Sequence, residues 1–246
     1  MKTKLVLLVA LTAILTVSCM MARTVNGSGN VVTEERDAGG FQQVSFALMG
    51  RMVLRPGDTE SVTITADDNI MRLIEAEVRD GVLHVGRTSE AGMAQLRPSE
   101  EIVYEVTYRE LSGLSLSGSG SMDLAGLETP FLELSLSGSG AVIVKGLEGG
   151  QIRTSISGSG AINLSGTADS HSLDLSGSGT YRTGELVSRD ARLTISGSGT
   201  AVVNATETLS VMLSGSGVVR YMGDPDLTES VSGSGAIQRI EKKVTL

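Results

Sequence analysis

Cysteine, histidine and aromatic residues are scarce in this sequence, and each scarcity narrows the possible architectures and chemistries. The 246 residues include one cysteine, Cys19, so the chain cannot form an internal disulfide. The two histidines, His84 and His171, have no cysteine or second histidine at metal-ligand spacing. Phe and Tyr together make up 3% of the chain and Trp is absent, so the aromatic anchors typical of binding hot spots are few.

Positive charge is also in short supply. Twenty Lys and Arg face 28 Asp and Glu, which gives a net charge of −8. Nucleic-acid binding needs a basic face, so we predict no nucleic-acid partner. The glycine-rich segments lack the Gly-Lys-Ser/Thr ending of a phosphate loop, and no regular Asp follows them as in calcium-binding repeats. We therefore predict no cofactor, no metal site and no catalytic residues, and hence a protein that is not an enzyme.

What the chain has in abundance is a repeated Ser-Gly-Ser-Gly tetrapeptide. The tetrapeptides begin at residues 117, 137, 157, 176, 196, 214 and 232, which gives steps of 20, 20, 19, 20, 18 and 18 residues. A period this regular is the signature of a stacked array of structural repeats. We predict that the tetrapeptide glycines form a structural turn motif: Gly118, Gly120, Gly138, Gly140, Gly158, Gly160, Gly177, Gly179, Gly197, Gly199, Gly215, Gly217, Gly233 and Gly235.

The residues around each tetrapeptide alternate as in β-strands. A branched aliphatic residue precedes every copy, and a second short alternating run follows it. These aliphatic residues are Leu116, Leu136, Ile156, Leu175, Ile195, Leu213 and Val231. Continuing the alternation through the motif points its glycines inward and its serines outward, where they can bond to one another and to water. We predict an all-β protein: a right-handed parallel β-helix with coils of about 18–20 residues and more irregular β structure at the N-terminal end.

The N-terminus has the pattern of an export signal. Lys2 and Lys4 precede an uncharged run from Leu5 to Val17, which is too short for a comfortable transmembrane helix. Thr16-Val17-Ser18-Cys19 resembles a bacterial lipobox, although a Leu is usual where Thr16 stands. We predict a lipoprotein signal peptide over residues 1–18, lipidation of Cys19 and a tether over 19–25. The resemblance, with Met20 after the cysteine, implies sorting to the outer membrane, facing the periplasm or the surface.

Residues 26–110 are less regular. Asn26-Gly27-Ser28-Gly29 looks like an early copy of the turn motif. Alternating segments predict strands over 41–48, 51–55, 62–65 and 102–108, and a hairpin over 78–85 with Asp80-Gly81 at its tip. Residues 68–77 are compatible with a short helix. We predict a single β-helical domain over 26–246, irregular over 26–110 and regular over 111–240.

The order of these segments resembles the head-GIN putative adhesin family over about residues 25–240. The resemblance rests on Asn-Gly-Ser-Gly, Gly40-Phe41 with Val44, the run from Val62 to Asn69, the run from Val78 to Leu83, and the Ser-Gly-Ser-Gly coils. It implies an exported bacterial domain with a right-handed β-helical fold and no catalytic residues. One departure is that similar proteins tend to have Pro shortly before the coil array, where this chain has Tyr108-Arg109-Glu110-Leu111.

These observations favour a lipid-anchored envelope protein whose rigid β-helix serves as an adhesin or binding module for a protein or glycan ligand. Two alternatives stay open. One is a β-helical enzyme acting on polysaccharide, which would show a cleft lined by two or three carboxylates and basic residues. Asp123 and Asp174 are examples of carboxylates that separate coils could bring together. The other is a structural protein or a partner of an envelope signalling system.

Overall fold

The computed structural model describes residues 23–241. The predicted signal peptide and Cys19 lie outside these residues. The chain is all-β, with 71% strand and 2% helix, and winds into a solenoid of about six turns. The predicted fold class, a parallel β-helix of stacked coils, is confirmed. No helix among the described residues is long and apolar enough to span a bilayer.

The regular coils are built from strands that pair in parallel with the strands one coil away. They are β10 (Gly113–Gly118), β11 (Ser121–Ala125), β12 (Glu128–Gly138), β13 (Ala141–Gly158), β14 (Ala161–Gly177), β15 (Thr180–Gly197), β16 (Thr200–Gly215), β17 (Val218–Met222), β18 (Asp226–Gly233) and β19 (Ala236–Arg239). Each tetrapeptide pairs in register with the next, for example Ser137 with Ser157 and Gly138 with Gly158. The sequence period is therefore one turn of the solenoid.

The N-terminal part mixes parallel and antiparallel pairing. Its elements are β1 (Thr24–Asn26), β2 (Val31–Arg36), β3 (Gln43–Phe46), β4 (Arg51–Pro56), β5 (Ser61–Asp67), α1 (Asp68–Met71), β6 (Ile74–Arg79), β7 (Val82–Arg87), β8 (Gln95–Arg97) and β9 (Val103–Tyr108). β7 and β9 form a first layer, and β3 and β4 form a second layer that stacks on it in parallel. The antiparallel strands β6 and β5 cover the outer edges of β7 and β9.

The layers are not stacked in chain order. β3 and β4 pair with β7 and β9 on one side and with β10 and β11 of the first regular coil on the other. Along the chain, β3 and β4 of the second layer therefore come first, β7 and β9 of the first layer follow, and the regular coils come last. Residues 109–112 connect β9 of the first layer to β10 of the first regular coil. They pass one complete layer, a distance of about 10 Å at the usual strand spacing.

One column of buried residues runs through the whole stack. Leu116, Leu136, Ile156, Leu175, Ile195 and Leu213 are each at most 2% exposed. The column continues into the N-terminal layers through Phe46 and Val85, which pair in register with Leu116 and with each other. Stacking of these side chains gives one continuous core, which no single coil could bury alone.

The last member of the predicted column is an exception. Val231 remains 44% exposed because its coil ends the described stack. Two more inward positions of this coil carry charges, since Glu229 pairs with Val211 and Arg239 with Tyr221. Inward charges at the end of a sheet oppose the addition of another strand. The two ends of the solenoid are thus finished differently, by antiparallel strands at one and by charges at the other.

The tetrapeptide makes a corner in which the two glycines have different roles. The second glycine, such as Gly140, is buried, and a Cβ there would lie 2.7 Å from the Leu116 side chain. The first glycine is not simply inward: Gly138 has φ +118°, and a Cβ there would lie 2.7 Å from the carbonyl oxygen of Gly118. Only glycine readily adopts this conformation and allows such close stacking.

Backbone hydrogen bonds rather than serine side chains connect successive corners. The carbonyl oxygen of Gly118 accepts from the amides of Ser139 and Gly140, at 3.1 and 3.0 Å, and the pattern recurs along the stack. The motif serines face outward as predicted. In the part of the chain that the structure describes, their hydroxyls form no hydrogen bonds with one another between coils.

Two local predictions are wrong. The helix predicted over 68–77 is only the single turn α1, and its remainder is mostly the strand β6, because residues 74–79 pair with β7 in the hairpin. Asn26–Gly29 is not a corner of the coil stack. It follows β1, which pairs with β8 in a separate two-stranded sheet. The Asp80-Gly81 tip of the hairpin is confirmed, with φ of 52° and 75°.

Candidate functional site

A cleft lies where the connecting segment 109–112 meets the first regular coil. Residues 128–132 of the coil wall pair with β13 on one side, but no strand within residues 23–241 pairs with them on the other. The reason is that the second layer leaves the coil path after Pro56 to form the antiparallel strand β5. The connecting segment passes this gap and leaves space beside it. We call this space the junction cleft.

The junction cleft has two arms that share Gln42, Arg109 and Glu110. The first arm has a volume of about 470 Å³ and is lined further by Glu60 and by Asp80 at the hairpin tip. The second arm has a volume of about 670 Å³ and extends along residues 126–131. Both volumes are in the usual range of small-ligand pockets.

The polar side chains at the centre of the cleft are held by hydrogen bonds. Gln42 Nε2 donates to Glu110 Oε2 at 3.0 Å. The Gln42 carbonyl accepts from both the amide and the hydroxyl of Ser112, at 2.8 and 3.2 Å. Glu60 accepts from the backbone amide of Gly40. The arrangement presents amide, carboxylate and guanidinium groups together, so it offers both donors and acceptors.

The second arm contains an aromatic residue that is not in the core. Of the three Phe and four Tyr residues, only Phe131 and Tyr221 are incompletely buried. Phe131 lines the second arm, and the Arg153 guanidinium lies 5.9 Å from its ring centroid. Tyr108 also lines this arm. It is 2% exposed, and its buried hydroxyl has no hydrogen-bond partner among the described residues. Burial raises the pKa of the Tyr108 hydroxyl.

The charges around the cleft are mostly negative. Its lining has five charged side chains, the carboxylates Glu60, Asp80, Glu110 and Glu128 and the cation Arg109. A further cation, Arg153, lies against Phe131. Within residues 23–241 none of these five side chains forms an ion pair. No group of three or more His, Cys, Asp or Glu residues in the same range is placed to hold a metal ion. The site is therefore polar and acidic, with its charged groups available to a ligand.

The coil carboxylates named from the sequence lie elsewhere. Asp123 is on the wall formed by β11 and accepts from Arg51 Nε at 2.6 Å. Asp174 is exposed on the serine-bearing wall, three coils above Ser115 in the same outward column. The stack does not bring these two together. Three of the four carboxylates that line the cleft, Glu60, Asp80 and Glu110, come from the irregular part of the chain, where no repeat phase exists to align them in the sequence.

A second polar constellation, missed by the sequence reasoning, holds the N-terminal segment in place. Asp67 is 1% exposed and accepts from the amide and hydroxyl of Ser99 and from the amide of Gly29, at 2.5 to 2.9 Å. The hydrogen bond from the Ser99 hydroxyl, with the two amides, lowers the pKa of Asp67. The neighbouring Asp68 accepts from Ser28 and Asn30. Their side-chain hydrogen bonds, from Asn30 first, lower its pKa.

This constellation explains why Asn26–Asn30 and the Asp67-Asp68-Asn69 run occur in one sequence. Asn69 completes it by accepting from the Ser28 amide at 3.0 Å and donating to the Asn26 carbonyl at 2.7 Å. The early Asn-Gly-Ser-Gly is thus a loop held in place by hydrogen bonds to the carboxylates of Asp67 and Asp68. The signal for it was the pair of adjacent aspartates at the end of a buried strand.

The two histidines differ. His84 is half-buried on β7, whereas His171 is 3% exposed inside the solenoid. His171 Nδ1 lies 3.0 Å from the Tyr181 hydroxyl, and its Nε2 has no partner. Burial lowers the pKa of His171 to about 4. His171 occupies the inward position taken by Ile152 and Ala191 in the adjacent coils, so it belongs to the core and not to the cleft.

Solved structures share this fold over nearly their whole length. A putative adhesin from Bacteroides fragilis NCTC 9343 has a TM-score of 0.81 at 25% identity, covering 88% of this chain and 100% of that one. A putative lipid binding protein from Parabacteroides distasonis ATCC 8503 has a TM-score of 0.73 at 24% identity, covering 89% and 100%. A putative adhesin from Parabacteroides merdae ATCC 43184 has a TM-score of 0.67 at 22% identity, again covering 89% and 100%.

The latter two likenesses concern the fold alone. Among curated proteins, none matches the chain. The profile of the family described as "Putative auto-transporter adhesin, head GIN domain" matches residues 40–225, three quarters of the sequence, and the chain belongs to this family.

Proposed function

We propose that this chain is an exported, lipid-anchored protein of the bacterial envelope that acts as an adhesin or binding module. The solenoid is a rigid support, and the junction cleft is its binding site. The observation that carries the proposal is the family match over residues 40–225, combined with a cleft whose charged side chains are unpaired. Functional groups held on a rigid framework bind with a smaller entropic cost.

The anchoring half of the proposal depends on the N-terminal sequence. Cys19 follows the uncharged run from Leu5 to Val17 and is the single cysteine of the chain. Several acyl chains on one residue give stable membrane attachment. Met20, after the cysteine, supports sorting to the outer membrane. The expected outcome is incorporation of an alkyne-labelled fatty acid into the wild-type chain and none into Cys19→Ala. Mass spectrometry that finds an unmodified Cys19 within a longer mature chain would contradict it.

Adhesion is tested with bacteria that carry the chain, lack it, or carry Cys19→Ala. Retention on host cells, extracellular matrix proteins and glycan-coated surfaces is measured for each strain. The expected result is retention on at least one surface that depends on the chain and is competed by purified protein. Equal retention of the wild-type and deletion strains on every surface would contradict the adhesin assignment.

A polysaccharide-acting enzyme remains the second candidate, because the first arm of the cleft has the lining that such an enzyme needs. Glu60, Asp80 and Glu110 are three carboxylates beside the basic Arg109. Glycoside hydrolysis requires two carboxyl groups roughly 5–9.5 Å apart. The test is turnover of a panel of envelope and host glycans by the purified chain. Turnover that Glu60→Gln or Glu110→Gln abolishes would replace the binding proposal by the enzyme.

A further inference from the structure

We propose that the junction cleft binds a neutral oligosaccharide, with the sugar ring against Phe131 and its hydroxyl groups at Gln42, Arg109 and Glu110. This inference rests on the proposed function, because it names the ligand class of the same site. Nothing in the family description or in the names of the similar structures specifies a sugar.

The first argument is the mixture of hydrogen-bonding groups. A sugar hydroxyl both donates and accepts, so a site for it needs both kinds of partner close together. The centre of the cleft supplies the amide of Gln42, the guanidinium of Arg109 and the carboxylate of Glu110. Gln42 and Glu110 are already joined at 3.0 Å, which fixes their orientation before a ligand arrives.

The second argument is the position of one partly buried phenyl ring. Phe131 is the only Phe residue outside the core, and it lies in the second arm of the cleft. The part of the ring that stays in water costs free energy, and the apolar face of a sugar ring would cover it. The other partly exposed aromatic residue, Tyr221, is several coils away, so the cleft is distinguished from the rest of the solenoid.

Charge and strand geometry narrow the ligand class. Four carboxylates line the cleft, against the guanidinium of Arg109 and that of Arg153 beside Phe131, and this excess of negative charge opposes uronic and sialic acids. A peptide strand would need the free edge at residues 128–132, but Pro130 has no amide hydrogen and the Thr129 hydroxyl donates to the Phe131 carbonyl at 2.9 Å. Recognition through side chains therefore fits better than addition of a strand.

The experiment uses the full-length chain, purified in detergent, against arrays of neutral, sialylated and uronic-acid oligosaccharides and against acidic and basic peptides. Titration calorimetry follows with the tightest neutral oligosaccharide. We expect Phe131→Ala to weaken binding about tenfold, as for the loss of an aromatic contact. Glu128→Gln tests the rim of the second arm, with Glu148→Gln, the residue in register one coil away, as its control. We expect Glu128→Gln to weaken oligosaccharide binding severalfold and Glu148→Gln to leave it unchanged.

The outcomes separate this inference from the proposed function. Neutral oligosaccharide binding that is unaffected by both Phe131→Ala and Glu128→Gln would overturn the assignment of the cleft. Binding of a basic peptide in place of any glycan would overturn the ligand class. Chain-dependent cell adhesion without any glycan binding would support the adhesin function and refute the oligosaccharide ligand. Absence of both adhesion and glycan binding would refute both proposals.

Discussion

The regular coils and the N-terminal layers share one inner column but differ in how they are put together. In the coils each turn lies directly beside the turn that precedes it in sequence, and the same positions repeat at every level. In the N-terminal part the second layer is made before the first, and antiparallel strands close the end. The regular part supplies length and stiffness, and the cleft arises at the point where sequential stacking fails.

The two regions also satisfy their polar groups differently. Corners of the coils use backbone ladders, such as the Gly118 carbonyl with the next coil's amides. The N-terminal region uses side chains, with Asp67 and Asp68 gripping the loop of residues 27–30. Repetition allows a backbone solution to be copied at each level, while a single irregular loop needs its own set of side-chain partners.

The largest expected effect comes from breaking the inner column. Leu136→Asp places a charge at a fully buried position with Leu116 and Ile156 as neighbours, and should cost roughly 4 kcal/mol or more of unfolding free energy. Urea denaturation followed by circular dichroism measures it. Ser137→Asp, at the adjacent exposed position, is the control and should stay within about 0.5 kcal/mol. Equal effects of the two would refute the column.

The next effect tests the corner. Gly138→Ala should cost about 3 kcal/mol, because the backbone has φ +118° and the new Cβ would lie 2.7 Å from the Gly118 carbonyl oxygen. Gly149→Ala on the same coil is the control: its Cβ would meet Ile152 at an ordinary 3.6 Å, so it should be neutral or slightly stabilising. A mild effect at Gly138 would mean that the corner can open without loss.

Acid should destabilise the coils through His171. Burial lowers its pKa to about 4, below the ordinary 6.5, so between these values the unfolded chain binds the proton and the folded chain does not. Stability should therefore fall as pH decreases from 6.5 to 4, by at most about 3.4 kcal/mol. His171→Leu, which places the same side chain as Leu209 and Leu132 in other coils, should remove most of this pH dependence in thermal melts. A pH dependence that is unchanged in His171→Leu would contradict the assignment.

The smallest effect sharpens the contrast at the N-terminal end. Asp67→Ala leaves the Ser99 and Gly29 amides without their acceptor and should cost about 2 kcal/mol. Hydrogen exchange at these two amides should rise, while amides of the regular coils stay protected. Asp68→Ala, at an exposed residue, should cost less. Exchange that rises equally throughout the chain would show that the loop and coils open as one unit.

The glycine corners and the inner column show how far repetition carries a prediction. A residue type that recurs at the same position before seven tetrapeptides can be placed by alternation alone, and Leu116, Leu136, Ile156, Leu175, Ile195 and Leu213 are buried as expected. Phe46 and Val85 belong to the same column but could not be assigned, because Ala47–Gly50 stands where a tetrapeptide would mark the coil. The helix predicted after Asp68 failed because pairing with β7 overrode a local preference.

The cleft could not be predicted because its residues have no common sequence signal. Gln42, Asp80, Arg109 and Phe131 are far apart in the chain and belong to a loop, a hairpin tip, the connecting segment and a coil wall. The one sequence feature near the cleft is the run Tyr108–Leu111, which stands where similar proteins tend to have a Pro. The carboxylates suggested in its place, Asp123 and Asp174, are fixed by coil phase to separate walls.

The sequence by itself determined the period, the parallel stacking and the inward face, because each is a local alternation copied at every turn. The tertiary structure decided the order of the first two layers, the hydrogen bonds from the N-terminal loop to Asp67 and the position of the cleft. These depend on contacts between segments tens of residues apart, whose pairing is settled by the burial of whole edges and not by any local pattern.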